Sequence, residues 1–360
     1  MARTFDDQGV NSEETPGASF TSDRVLTSPD PVAQASGLRG ELPAPIRALL
    51  SLPKWLWLVV AALLVGSTVP FAGVANVPDE IQKGTTFSAW VNTAVDWIVI
   101  KGDPFFGAIN SGLLTYVLLP LEDWLQRLPW WLAIGVVAVI SYRIVGPIFA
   151  VVGAALMLLL AILGIFDLAM STLALVIVAT VLSVALGVPA GILGAQSDRF
   201  DAVQRPILDA MQTMPPFVYL IPVLMLFGLG KVPAILATVI YAVPPVIRLT
   251  NLGIRLVDTS VVEAARAFGS TDTQILFKVQ IPLALPTIMA GLNQTIMMAL
   301  AMVVIAAIIG SKGLGVEVLN GIARLDVGRG FIGGVGIVVM AIILDRITQG
   351  FAKSRQGVSV

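Results

Sequence analysis

Glu263-Ala264-Ala265-Arg266-Ala267-Phe268-Gly269, then nine residues, then Val279-Gln280-Ile281-Pro282, is polar sequence set into a chain that is otherwise mostly apolar. Ser260-Val261-Val262-Glu263 has capping-box spacing, which predicts a helix starting at Val261. Gly269 is free to take the left-handed conformation that ends such a helix. Thr271-Asp272-Thr273-Gln274 repeats the box and predicts a second helix at once. Pro282 is expected near the end of that second helix, where the chain turns into the next apolar run. The pattern reads helix, glycine turn, helix. Val262, Ala265, Ala267 and Phe268 give the first helix a small apolar face. A capped loop between two spans is suited to docking something outside the bilayer.

The surrounding sequence makes those apolar runs membrane spans. Of 360 residues, 56% are apolar and 12% charged, and the mean hydropathy is +0.89. Soluble domains carry about twice that charged fraction. The fold class expected is all-α, polytopic and membrane-embedded. There is no cysteine and no histidine. Disulfides and thiolate chemistry are excluded, and the commonest general base and metal ligand are missing. No catalytic or metal site is expected. A net charge of −1 carries no nucleic-acid footprint.

Uncharged stretches of roughly 20 residues locate spans. They place one near 55–75 and seven more between Arg127 and Arg143, Arg143 and Asp167, Asp167 and Asp198, Asp209 and Lys231, Lys231 and Arg248, Lys278 and Lys312, and Arg329 and Asp345. Eight spans result. The one after Lys231 holds Pro233, Pro244 and Pro245 and is expected to be short and bent. With both termini inside, thirteen Lys and Arg from residue 39 onward fall in cytoplasmic segments and seven outside. The positive-inside rule favours that orientation and puts the 255–282 loop in the cytoplasm.

Residues 1–45, rich in Ser, Asp, Glu, Pro and Gly, read as a disordered cytoplasmic tail. Residues 46–128 read as one span followed by amphipathic helices at the outer interface, with Trp90, Trp97 and Trp124 as anchors. Residues 129–350 form the core, and 351–360 a cytoplasmic C-terminal tail.

No G-x-x-x-x-G-K-[ST] sequence occurs, so this chain does not cradle ATP by the P-loop mechanism. Charges cluster at expected span ends, including Asp209, Asp345 and Arg346, which counts against a proton- or sodium-coupled carrier. An intramembrane enzyme lacks any paired carboxylates or nucleophile–base set. Polar residues within spans are the candidates for lining a pathway: Gln212 and Thr213 before Pro215-Pro216, and Asn293, Gln294 and Thr295 together. Such groups also serve as hydrogen-bonding glue between helices. The core aromatics available to hold a cation are Tyr142, Phe166, Phe217, Tyr219, Phe227 and Tyr241.

The 263–282 stretch resembles the cytoplasmic EAA loop of ATP-binding-cassette (ABC) importer permeases, whose consensus is E-A-A, three residues, G, nine residues, I-x-L-P. Val279 and Ile281 are conservative replacements within it. Longer runs, at 209–230, 244–254, 277–306, 321–328 and 333–349, look like the permease subunit of glycine betaine/proline betaine importers. The resemblance covers roughly 129–350; the tail carries no match. It implies the type I importer permease fold, with two copies pairing in the membrane. Each copy takes a separate ATPase subunit that binds ATP and Mg, and an extracytoplasmic substrate-binding protein delivers cargo. This chain itself would bind no cofactor. Carried over residue by residue, Glu263, Ala264, Ala265, Gly269, Val279, Ile281 and Pro282 form the ATPase-coupling element. Alternatives are the same machine with another cargo, such as an amino acid or another quaternary amine, and an osmotically gated channel.

Overall fold

The structure, a computed structural model, describes residues 53, 56–62 and 84–356. The tail expected over 1–45 and most of the span expected at 55–75 lie outside the described residues. The chain divides between Lys83 and Gly84. In the first unit, 56–62 are helical.

The second unit is built from helices. Helix α1 (Gly84–Gly112) passes through a π-helical segment, Leu113–Leu118, into α2 (Leu119–Arg127). Helices α3 (Trp130–Ile144) and α4 (Pro147–Ile162) form a hairpin, and α5 (Phe166–Gln196) follows. Helices α6 (Asp198–Thr213) and α7 (Pro216–Phe227) meet at a 102° bend. Then come α8 (Lys231–Arg255), α9 (Thr259–Ala267) and α10 (Asp272–Ile275). A second π-helical segment, Leu276–Gln280, leads into α11 (Ile281–Ile308), and α12 (Leu314–Arg324) and α13 (Val327–Gln356) close the chain.

Among the described residues, five helical runs are long and apolar enough to cross a membrane: 86–127, 166–196, 231–255, 272–308 and 327–352. Counting the bent α6–α7 pair as one span makes six. The expectation of eight differs for physical reasons. The span at 55–75 falls largely outside the described residues. Helices α3 and α4 have only 15 and 16 residues, about 23 Å each against a hydrocarbon core of about 30 Å. In the stretch expected to hold separate interfacial helices, 86–127 is one run of 42 residues, about 63 Å long.

The run after Lys231 is not short. It continues for 25 residues to Arg255, with Pro244 and Pro245 buried inside it. Arg248 does not end the helix, and its guanidinium pairs with Asp209 of α6. Asp345 lies about two turns before the C-terminal end of the helical run 327–352, so the helix continues past it. Helix α13 runs on to Gln356, into the stretch expected as a tail.

Helix α8 is the centre of the bundle. Ala234, Ile235, Ala237, Thr238, Ala242, Val246 and Thr250 are all completely buried. Lipid is as apolar as these side chains, so close backbone packing rather than water exclusion holds such helices together. Small residues permit it on both sides. A Cβ on Gly191 of α5 would stand 2.7 Å from the Ile247 carbonyl, and one on Gly291 of α11 3.1 Å from Val246 Cα. The Gly230 amide donates to the Ile309 carbonyl at 2.8 Å, tying one end of α8 to α11. At that end Lys231 also pairs with Glu122 of α2, which is 4% exposed. Thr172 of α5 caps α12 by accepting from the Leu314 amide at 2.8 Å.

Candidate functional site

The loop after α8 begins two residues earlier than capping-box spacing predicts. Asp258, not Ser260, is the N-cap of α9: its carboxylate accepts from the Ser260 amide at 2.8 Å. A short acidic side chain in extended backbone satisfies an orphan N–H at a helix start as well as serine does, and it comes first in the chain. Hydrogen bonds from the Ser260 backbone and side chain hold the Asp258 carboxyl below its ordinary value.

The far end of α9 follows the sequence reading. Gly269 has φ +80°. Its amide donates to the Arg266 carbonyl at 3.0 Å, and the Ser270 amide to that of Ala265 at 3.1 Å. These are the two bonds of a Schellman closure. The second box is present in full: Thr271 Oγ1 accepts from the Gln274 amide at 3.4 Å, and Gln274 Oε1 from the Thr271 amide at 2.9 Å. An Arg266–Asp272 ion pair at 3.0 Å bridges the turn.

Pro282 does not mark a turn into the next span. It lies in the first turn of α11 within an unbroken helical run, Asp272–Ile308. The π-helical segment before it explains how. Proline lacks a donor and crowds the carbonyl four residues back. The Ile281 amide instead bonds to Leu276, five residues back, and the wider turn accommodates the ring.

The loop is anchored at its base and bare at its tip. Ile254, Leu276, Ala284 and Ile288 form a buried cluster, with Ile281 packed against it. Val279 is half-buried and Pro282 exposed. No residue of α9 is buried. Glu263 and Ala264 are exposed and Ala265 half-buried, while Phe268 is 90% exposed and Phe277 61%. A protruding rigid element that shows phenylalanine to solvent fits a protein contact.

The pathway candidates do not converge on one site. Gln212 and Thr213 are exposed at the α6–α7 bend, and the Thr213 hydroxyl turns back onto the Ala210 carbonyl. On α11, Thr295 is fully buried, Gln294 exposed and Asn293 half-buried. Consecutive helical residues point about 100° apart, so three in a row cannot line one channel. Of the core aromatics, Tyr219 and Tyr241 come together, with ring centres 6.1 Å apart. Phe227 instead meets Phe106 of α1 at 5.2 Å.

Sequence reading missed a polar network at the base of the loop. Arg255 pairs with Asp198 at 2.8 Å and donates to the Gly194 carbonyl at 2.8 Å and to Asn251 at 2.8 Å. Asn251 in turn donates to Asp201 at 2.6 Å, and Arg205 also pairs with Asp201. The network clamps α6 and the end of α5 to the last turn of α8. Its charges lie on two helices and the third gives only a backbone carbonyl, so no spacing in the sequence joins them and only the fold reveals the network.

Residues 187–356 match the family model described as "Binding-protein-dependent transport system inner membrane component". Over 291 residues the chain is 45% identical to the glycine betaine/proline betaine transport system permease protein ProW of Escherichia coli (strain K12), covering 81% of this chain and 82% of that one. The chain belongs to this permease family. The permease is also 44% identical over 270 residues to the glycine betaine transport system permease protein OpuAB of Bacillus subtilis (strain 168), covering 72% and 92%. A solved structure of the MetNI methionine ABC transporter in an inward-facing conformation aligns at a TM-score of 0.47 and 21% identity, over 54% of this chain and 96% of that one. The permease is thus a multi-pass inner membrane protein and the transport component of a binding-protein-dependent system, not its ATPase.

Proposed function

We propose that this permease imports glycine betaine/proline betaine-type osmoprotectants, driven by ATP that is bound with Mg and hydrolysed on a separate ATPase subunit. Two copies pair, both termini are cytoplasmic, and a binding protein delivers cargo from outside. One observation carries the coupling role: α9 is unburied along its whole length, yet it is built into the two central helices at either end. Helix α8 runs into it through three residues, and α10, the π-helical segment and α11 leave it as one helical run. Glu263, Ala264, Ala265 and Gly269 would meet the ATPase cleft, while Val279, Ile281 and Pro282 set the lever's base. The names that ProW and OpuAB carry support the cargo class.

ATP closure moves docked loops. A loop rigidly joined to α8 and α11 passes that motion to their packed interface, which has two arrangements rather than a continuum. The test is uptake of labelled glycine betaine into proteoliposomes holding the permease and its ATPase, with ATP inside and binding protein outside, omitting each in turn. Uptake is expected only with all three. Uptake without ATPase or ATP would mean a channel or carrier; ATP hydrolysis without betaine uptake would reopen the cargo.

A further inference from the structure

Helix α6 is held to α8 at few points. Of its residues only Asp201 and Leu208 are buried. Leu208 joins Val243, Val246 and Ile247 of α8 in one buried cluster. At the other end of α6, Arg255 of α8 pairs with Asp198 at 2.8 Å, and Asn251 donates to Asp201 at 2.6 Å. Arg255 is the last residue of α8 and stands three positions before Asp258, the N-cap of α9. The coupling loop is therefore fastened to α6 at its root.

A joint that served only as glue would leave no buried polar atom unpaired. Here Gln204 Oε1 is buried and meets no hydrogen-bond partner among the described residues. It lies beside the amide that Asn251 now gives to Asp201: a Cβ on Gly194 would stand 2.7 Å from Gln204 Oε1 and 2.9 Å from Asn251 Nδ2. Gln204 follows Asp201 by three positions, so the two share a face of α6. The same offset recurs at each contact. Asp201 follows Asp198 by three and already lies 3.7 Å from Arg255. Met211 follows Leu208 by three and already packs against its cluster. A shift of α6 by three residues, about 4.5 Å with a rotation of about 60°, would give Arg255 to Asp201, Asn251 to Gln204 and the apolar cluster to Met211, whose flexible side chain fills irregular gaps. An open cleft of ≈ 220 Å³ between α6 and α8 leaves room for the movement.

We propose that α6 has two registers on α8, and that Gln204 is the positioning residue that receives Asn251 in the second, so that movement of the coupling loop is passed to the bent α6–α7 pair. This rests on the coupling reading of α9 above. The test uses Gln204→Met in the full assembly in proteoliposomes. Betaine uptake is expected to fall about tenfold while ATP hydrolysis stimulated by liganded binding protein persists. Melting in detergent should be unchanged or raised, because the acceptor removed has no partner in this register. Unchanged uptake would overturn the proposal. So would matched loss of uptake, hydrolysis and melting temperature, which marks Gln204 as structural. Because the chain has no cysteine, spin labels on Val203→Cys of α6 and Leu252→Cys of α8, both exposed, give a second readout in assemblies diluted with unlabelled chains. Their separation should change by several ångströms between nucleotide-free and ATP-trapped states, and less so with Gln204→Met; a constant separation would overturn the two registers. Wild-type uptake that needs no ATPase would instead sink the coupling reading itself, whereas ATP-dependent uptake that survives Gln204→Met sinks this proposal alone.

Discussion

Gly269 shows how much one residue decides. At φ +80° an L side chain costs about 1–2 kcal/mol, whereas glycine costs nothing and asparagine little. Nothing lies within 4 Å of where a Cβ would sit, so the demand is conformational and not steric. Gly269→Val should therefore open the turn between α9 and α10 and depress uptake at equal membrane abundance, while Gly269→Asn should transport nearly as the wild type does. Normal uptake by the valine variant would detach the turn from coupling. Asp345 makes the opposite point. As a letter it resembles a charge ending a span, and only the structure shows that it accepts a hydrogen bond from Asn293 on another helix.

At the scale of elements, caps and ion pairs fix where helices begin and how they are joined. Thr271 carries the capping box of α10, and Thr271→Ala should cost about 1 kcal/mol. The loss should be read as faster hydrogen exchange at the Gln274 and Ile275 amides, with the spans untouched; unchanged exchange there would mean that packing under Leu276 alone holds the element. On the other side of the bundle Arg329 of α13 makes a two-pronged pair with Glu317 of α12, one bond at 3.0 Å. Hydrogen bonds from Arg329 hold the Glu317 carboxyl below the ordinary glutamate value of about 4.5, against a burial effect that works the other way. A lowered folded-state value means the pair stabilises fully above the unfolded value and is lost as pH falls through the folded one. The α12–α13 turn should thus loosen only in acid, below about 4.5, and Glu317→Gln should remove that dependence. Hydrogen exchange across 314–330 as a function of pH checks it.

For the whole molecule, stability depends on how closely α5 and α11 approach α8. Gly191→Ala would drive a methyl to within 2.7 Å of the Ile247 carbonyl, a backbone atom that cannot step aside. The same change at Gly334 meets nothing within 4 Å. Overpacking of this kind costs about 1–3 kcal/mol. The first variant should melt at lower temperature in detergent and accumulate less in the membrane; the second should match the wild type or exceed it, since alanine is the better helix former. Equal melting of the two would mean that α5 is free to move away from α8.

What this sequence determined alone is local or one-dimensional. Membrane residence follows from composition, the loop's glycine turn and second box from residues within a few positions of each other, and the permease family from a run of letters. These hold without tertiary structure because each interaction closes within one helical turn or one span. Tertiary structure decided the rest. It turned Pro282 from a presumed corner into part of a continuous helix, because a π-turn absorbs its missing donor. It carried α8 past Arg248 to Arg255, whose guanidinium is held by Asp198 and the Gly194 carbonyl of neighbouring helices. It separated Asn293, Gln294 and Thr295 onto different faces and joined Asn293 to Asp345 across a gap of 52 positions. Such pairings depend on which helices lie side by side, and no spacing within a single helix carries that information.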